Sequence, residues 1–239
     1  MTETEHGPRG ISIRYGEAVS SFVEFARTLS ADEWATRLEC TPSWTARDVL
    51  SHVAGVPDDG LAGRTDGAAT EPWTASQVER NASFTVDELL ARWEGQYELF
   101  GAAIESIDEA RPPYDCHSHE HDIRQAVDRP GNRDSMIIRD AAPELVAGLS
   151  ALPMAITVEW THESVCADAA SPESMVAGAP GVVPSVGLRT TGFEIFRSRL
   201  GRRTAAQVRA LDWSGDPEAI DTVVAAWFLF GPSEIDIVE

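Results

Sequence analysis

Lysine is absent from this chain: all nineteen basic residues are arginine. Its absence excludes a lysine Schiff base and a P-loop phosphate site. Cysteine is scarce. The three present, Cys40, Cys116 and Cys166, are an odd number with no C-x-x-C spacing. They fit a reducing compartment and exclude a disulfide framework. No apolar run approaches the roughly 18 residues that a membrane helix needs. The N-terminus is polar and acidic where a signal peptide is basic and then apolar. The expectation is a soluble, cytoplasmic protein with no membrane partner.

Of the 239 residues, 39 are acidic, so the formal net charge is −20. The acidic residues are spread along the chain, and such a surface repels nucleic-acid phosphates. At 43% hydrophobic residues, the chain is long enough to bury a sizeable core and is not intrinsically disordered.

Apolar residues recur at helical spacing from about Ser12 to Leu29. A second helix is expected from Thr45, where Thr45 and Asp48 form a capping box, with Gly55 and Pro57 stopping it. A surface loop follows from Pro57 to Trp73. The longest periodic segment is expected from about Val86 to Ile107. Pro112 and Pro113 break the chain before a helix from about Asp115 to Val127. Another helix is expected from about Asp140 to Leu152.

Beyond that point β-branched runs appear, Ile156–Trp160 and Val182–Thr190, separated by a tract rich in small residues from Ala169 to Gly181. Further helices are expected over 191–200, 204–211 and 217–228. The implied fold is α+β: a four-helix bundle over residues 10–150 and a smaller α+β domain over 151–239.

Six histidines occur, three of them in His117-Ser-His119-Glu-His121. On a helix His117 and His121 are one turn apart and can reach one ion. His52, at the edge of the apolar face of the second helix, is the candidate third ligand. From the residues alone, a histidine cluster also fits a solvated helix face, and a lone His52 fits a structural histidine. The apolar residues Ile123, Ala126 and Val127 lie closer around the helix to His119 than to His117 or His121.

The segment from Cys40 through Trp44-Thr45, Asp48 and His52 to Gly55 resembles the C-x-x-W-T-x-x-D-x-x-x-H-x-x-G motif of the mycothiol-dependent maleylpyruvate isomerase family. One extra residue stands between Cys40 and Trp44. That family belongs to the DinB-like superfamily of metal-binding four-helix bundles. His117 to Ala126 is similar to its second signature, in which a ligand precedes a histidine by four and Asp-x-Arg follows. Leu200-Gly201-Arg202-Arg203 resembles a Gly-Arg helix end in its second domain. The likeness runs from about residue 10 to 215.

The resemblance implies a divalent ion, zinc by expectation, held by His52, His117 and His121, with mycothiol as thiol cosubstrate. The isomerases usually carry glutamate where this chain has His117. A neutral ligand there would leave the ion a stronger Lewis acid and favour thiol transfer over isomerisation. Asp122 and Arg124 are candidate residues for orienting the histidines or a substrate carboxylate. Arg202 is a candidate for binding an anionic group of substrate or cosubstrate. Partners are then a small-molecule electrophile and a low-molecular-weight thiol, with no nucleic acid, and the chain is a monomer or homodimer. A metal-dependent hydrolase and a non-catalytic bundle with a vestigial site are the competing readings. Cys116 adjoins His117, but neighbours on a helix point about 100° apart, so its thiol is expected to face away from the ion.

Overall fold

Helix α3 (Ala46–Leu61) begins where the capping box requires: the Thr45 side chain accepts from the Asp48 N–H, and Asp48 accepts from the Thr45 N–H. Such a cap contributes about 1 kcal/mol. A computed structural model describes residues 10–162 and 172–239 of the chain. The chain divides into two compact units, one ending at Pro130 and the other beginning at Gly131.

The first unit is helical. It contains α1 (Ile11–Ala26), α2 (Ala31–Trp34), α3, α4 (Glu71–Asn81), α5 (Val86–Glu94), α6 (Tyr97–Ser106) and α7 (Arg111–Ala126). Helix α1 packs on α6 and α7, and α3 packs on α4, α5 and α7. The core is apolar and aromatic: Phe22 meets Trp93 edge to face, and the Trp93 indole donates to the Tyr15 hydroxyl at 2.9 Å.

Three boundaries differ from the sequence expectation. Helix α3 does not stop at Gly55 and Pro57 but continues to Leu61. A proline inside a helix costs about 3 kcal/mol. Here it is offset by the packing of this buried stretch against α4, α5 and α7. The stretch expected as a loop ends in α4, which holds Trp73. The expected long helix is two, α5 and α6, broken at Gly95–Gln96.

Helix α7 starts at Arg111, with Pro112 and Pro113 in its first turn. Proline is tolerated there because the first N–H groups have no partner inside the helix. The prolines therefore open the helix rather than precede it, and Asp115 lies inside it. Residues 116–123 of α7 are all buried, as in a helix packed on every side.

The second unit contains α8 (Met136–Ala147), β1 (Ala155–Thr161), β2 (Glu173–Gly178), β3 (Val186–Thr191), α9 (Gly192–Arg199), α10 (Ala205–Arg209), β4 (Asp212–Ser214) and α11 (Pro217–Ala225). Its sheet has the order β2-β1-β3-β4. β1 and β3 are parallel, and the outer pairs are antiparallel. The α+β class expected from the sequence is the one observed. The division falls at residue 130 rather than 150, because α8 packs against α9 and β2. Strand β2 lies within the tract read as a spacer. Cys166 lies outside the described residues. No helix among the described residues is long and apolar enough to cross a membrane.

Candidate metal centre

Among the described residues, one group could hold a metal ion: His52, Asp115 and His119, whose ligand atoms lie within 4.8 Å of one another. His52 comes from α3, and Asp115 and His119 are one turn apart on α7. His52 Nε2 lies 3.4 Å from Asp115 Oδ2, and His119 Nε2 lies 3.5 Å from Asp115 Oδ1. The two histidines are buried, whereas the Asp115 side chain is 40% exposed. The group is thus closed on the histidine side and open on the carboxylate side.

Each histidine is held from behind. His52 Nδ1 is 2.6 Å from Gln77 Oε1, and His119 Nδ1 is 3.0 Å from Asp122 Oδ2. Both partners can accept, so with a cation at the centre each Nδ1 keeps a proton and each Nε2 lone pair is free to face the ion beside Asp115. Two lone pairs and a carboxylate then face one another. Such a set is favourable only with a cation between them, which is the chemistry of a metal site with oriented histidine ligands.

The electrostatics point the same way. Burial alone would raise Asp115, but His119 and His52 hold it well below the usual carboxylate range. Burial alone would lower His119, but Asp115 and Asp122 outweigh it and raise it to about 9. The cluster recruits positive charge as a proton where no metal supplies it.

His117 and His121, expected beside His52, form a separate pair. Their Nε2 atoms are 3.3 Å apart, and His117 Nδ1 lies 3.5 Å from Glu120 Oε2. Glu120 also accepts from Ser21 and Arg124, and the Arg124 guanidinium covers the Phe25 ring. Although burial opposes it, His117 holds Glu120 well below the usual range, helped by His121 and Arg124. At about 100° per residue, Asp115, His119 and Asp122 share one stripe of α7, and His117, His121 and Arg124 fall on the opposite side. In the structure His119, and not His117, stands with His52, one helix face away from the expected set. With Asp115 in the set, the argument from an all-neutral ligand set no longer applies.

Of the other sequence candidates, Asp122 reaches the centre by holding His119, and Arg124 lies on the opposite stripe. Arg202 follows α9 in the second unit, where its Nη1 donates to the Leu200 carbonyl at 2.8 Å. His162 lies in the second unit too, 3.5 Å from Asp134 and 3.2 Å from Glu173. Cys116 is buried, and burial, with Glu120 and Asp115 nearby, pushes its thiol well up.

Sequence reasoning missed Asp115 and Gln77. Asp115 stands four residues before His119, the spacing applied instead to His117 and His121. Gln77 gave no usable signal, because the sequence predicts no helix between the loop ending at Trp73 and the segment starting at Val86, where α4 lies. Trp44 and Trp73 flank His52, with ring centroids 5.5 and 6.2 Å away. Trp44 belongs to the motif.

The helical unit thus brings two histidines and a carboxylate from α3 and α7 together as a candidate metal centre. Residues 15–115 match the family model described as the mycothiol maleylpyruvate isomerase N-terminal domain. That segment is similar to this domain family. The match ends at Asp115, short of the span expected from the motifs. No curated protein and no solved structure matches the chain.

Proposed function

We propose that the chain is a mycothiol-dependent metalloenzyme that isomerises or conjugates a small electrophile, with His52, Asp115 and His119 as ligands of a divalent ion, zinc by preference. The observation that carries this reading is the convergence of two histidine Nε2 atoms on one part-exposed carboxylate, in a unit most of which matches the mycothiol maleylpyruvate isomerase N-terminal domain. Bound there, such an ion would act as a Lewis acid that stabilises the thiolate form of a small thiol.

The chain's own part is positional. Gln77 and Asp122 hold the two imidazoles, while Trp44 and Trp73 stand beside His52 as apolar walls for a substrate. The open side at Asp115 admits thiol and electrophile. In isomerisation the thiolate adds to a carbon of a conjugated double bond, whose π pair moves onto the adjoining carbonyl. Rotation about the resulting single bond and expulsion of the thiolate restore the alkene with changed geometry. In transfer, the thiolate displaces a leaving group, or the adduct is protonated, and the conjugate departs. A carboxylate among the ligands matches the usual isomerase pattern, so isomerisation comes first.

The test uses the zinc-loaded full chain with mycothiol and maleylpyruvate as probes. Conversion that requires both zinc and mycothiol is expected. Conversion of an ester or amide panel without thiol, and none of maleylpyruvate with it, would replace this reading with a hydrolase.

A further inference from the structure

Behind His52, on the side away from Asp115, lies a chain of buried polar groups that meets the candidate ligand cluster only through His52. Gln77 Oε1 meets His52 Nδ1 at 2.6 Å, and Gln77 Nε2 donates to Asp59 Oδ2 at 2.8 Å. Asp59 is 1% exposed, yet its carboxylate accepts from two guanidinium groups, Arg64 Nε at 2.7 Å and Arg80 Nη2 at 2.6 Å. His52, Gly55 and Asp59 share one stripe of α3, and Trp73, Gln77 and Arg80 share one stripe of α4. Between them Gly55 makes room: a Cβ built there would lie 2.9 Å from the Gln77 Cβ.

We propose that Gln77 and Asp59 are positioning residues of the metal centre, with Asp59 setting the direction of the Gln77 amide and Gln77 thereby setting the tautomer of His52. This rests on the metal-centre reading above. A carboxylate can only accept, so it holds the NH₂ end of the Gln77 amide toward itself. The carbonyl end then faces His52 and can only accept, so the His52 proton is on Nδ1. The remaining lone pair, on Nε2, points at Asp115. Reversing the amide would set its oxygen against the Asp59 carboxylate and its NH₂ against His52 Nδ1. The ring proton would then sit on Nε2, where it blocks coordination. Arg64 and Arg80 give Asp59 the counter-charge that keeps a buried carboxylate in place.

The experiment measures zinc affinity of the full-length chain by competition with a chromophoric chelator, together with the melting temperature of each metal-free variant. His52→Ala is the control on the metal-centre reading: if it binds zinc as tightly as the parent, that reading fails by itself. Gln77→Met keeps the side-chain length and removes both hydrogen bonds. Loss of a group that orients a metal-bound histidine typically costs 10- to 100-fold in affinity, and that loss is expected here. Asp59→Asn should weaken zinc as well, although Asp59 is remote from the ion, because the Gln77 amide is then free to turn. In the Gln77→Met background, Asp59→Asn should cost nothing further, since its effect passes through Gln77. A purely structural role would lower the melting temperature and leave zinc affinity unmoved. If His52→Ala loses zinc while Gln77→Met keeps parental affinity, or if the two losses add, the proposal is overturned. Gln77→Met decides the matter even where Asp59→Asn does not fold.

Discussion

His52 stands between two acceptors: its Nδ1 is 2.6 Å from Gln77 Oε1 and its Nε2 is 3.4 Å from Asp115 Oδ2. With a proton held on Nδ1 by Gln77, the imidazole has its Nε2 lone pair free for an ion beside Asp115. This one relationship turns a motif histidine into a candidate ligand and identifies α4 as its support.

The first expected outcome concerns pH. In the metal-free protein His119 is raised from its ordinary value of 6.5 to about 9. A raised folded value means that protonated His119 contributes stability in full below about 6.5 and loses it as pH climbs through about 9. The melting temperature of metal-free protein should therefore fall over that window, and His119→Gln should flatten the fall. Zinc must displace the same proton, so its affinity should weaken as pH is lowered from about 9. Calorimetry in buffers of different ionisation enthalpy would count the protons released; none released at neutral pH would contradict the assignment.

Gly55 gives a second. Alanine there gains roughly 1 kcal/mol in helix propensity. The new methyl meets Gln77 at 2.9 Å and the Asn81 Nδ2 at 3.2 Å, and overpacking of that kind costs about 1–3 kcal/mol. Gly55→Ala should thus be neutral to destabilised by about 2 kcal/mol, with weaker zinc binding because Gln77 is pushed from His52. A more stable variant with parental zinc affinity would show that the close approach of α4 is not needed.

A third concerns the nucleophile. Cys116 is buried, and its thiol is pushed well up from the ordinary value. That is the opposite of an activated thiolate. Cys116→Ser should lose about 1–3 kcal/mol of stability, the cost of burying a hydroxyl without a compensating hydrogen bond. Turnover per folded molecule should stay close to parental and still require added thiol. Activity without any thiol that disappears in Cys116→Ser would make the nucleophile the protein's own.

The sequence made the class of fold readable because periodicity changes from helical to β-branched near residue 155, and because Thr45 and Asp48 announce a helix start. His52 was readable from its motif. Asp115 was not, since two prolines before it look like a break, whereas the first turn of a helix accepts them. Gln77 and Asp59 were hidden for a related reason. Gly55 and Pro57 resemble a stop, yet tertiary packing carries α3 through them and uses the missing Cβ to admit α4. The choice between His117 and His119 depended on which stripe of α7 faces α3. Ile123, Ala126 and Val127 lie on the His119 side and point that way, but a segment buried on every side shows too little polarity contrast to settle it.

Metal content across the two stripes of α7 tests the central claim most directly. Untagged protein should be loaded with zinc, dialysed and analysed for bound metal as the parent and as His52→Ala, His119→Ala, His117→Ala and His121→Ala. The account predicts that His52→Ala and His119→Ala lose most of the zinc, while His117→Ala and His121→Ala retain it. Retention in His119→Ala together with loss in His117→Ala would contradict it, and would place the ion on the opposite face of the helix.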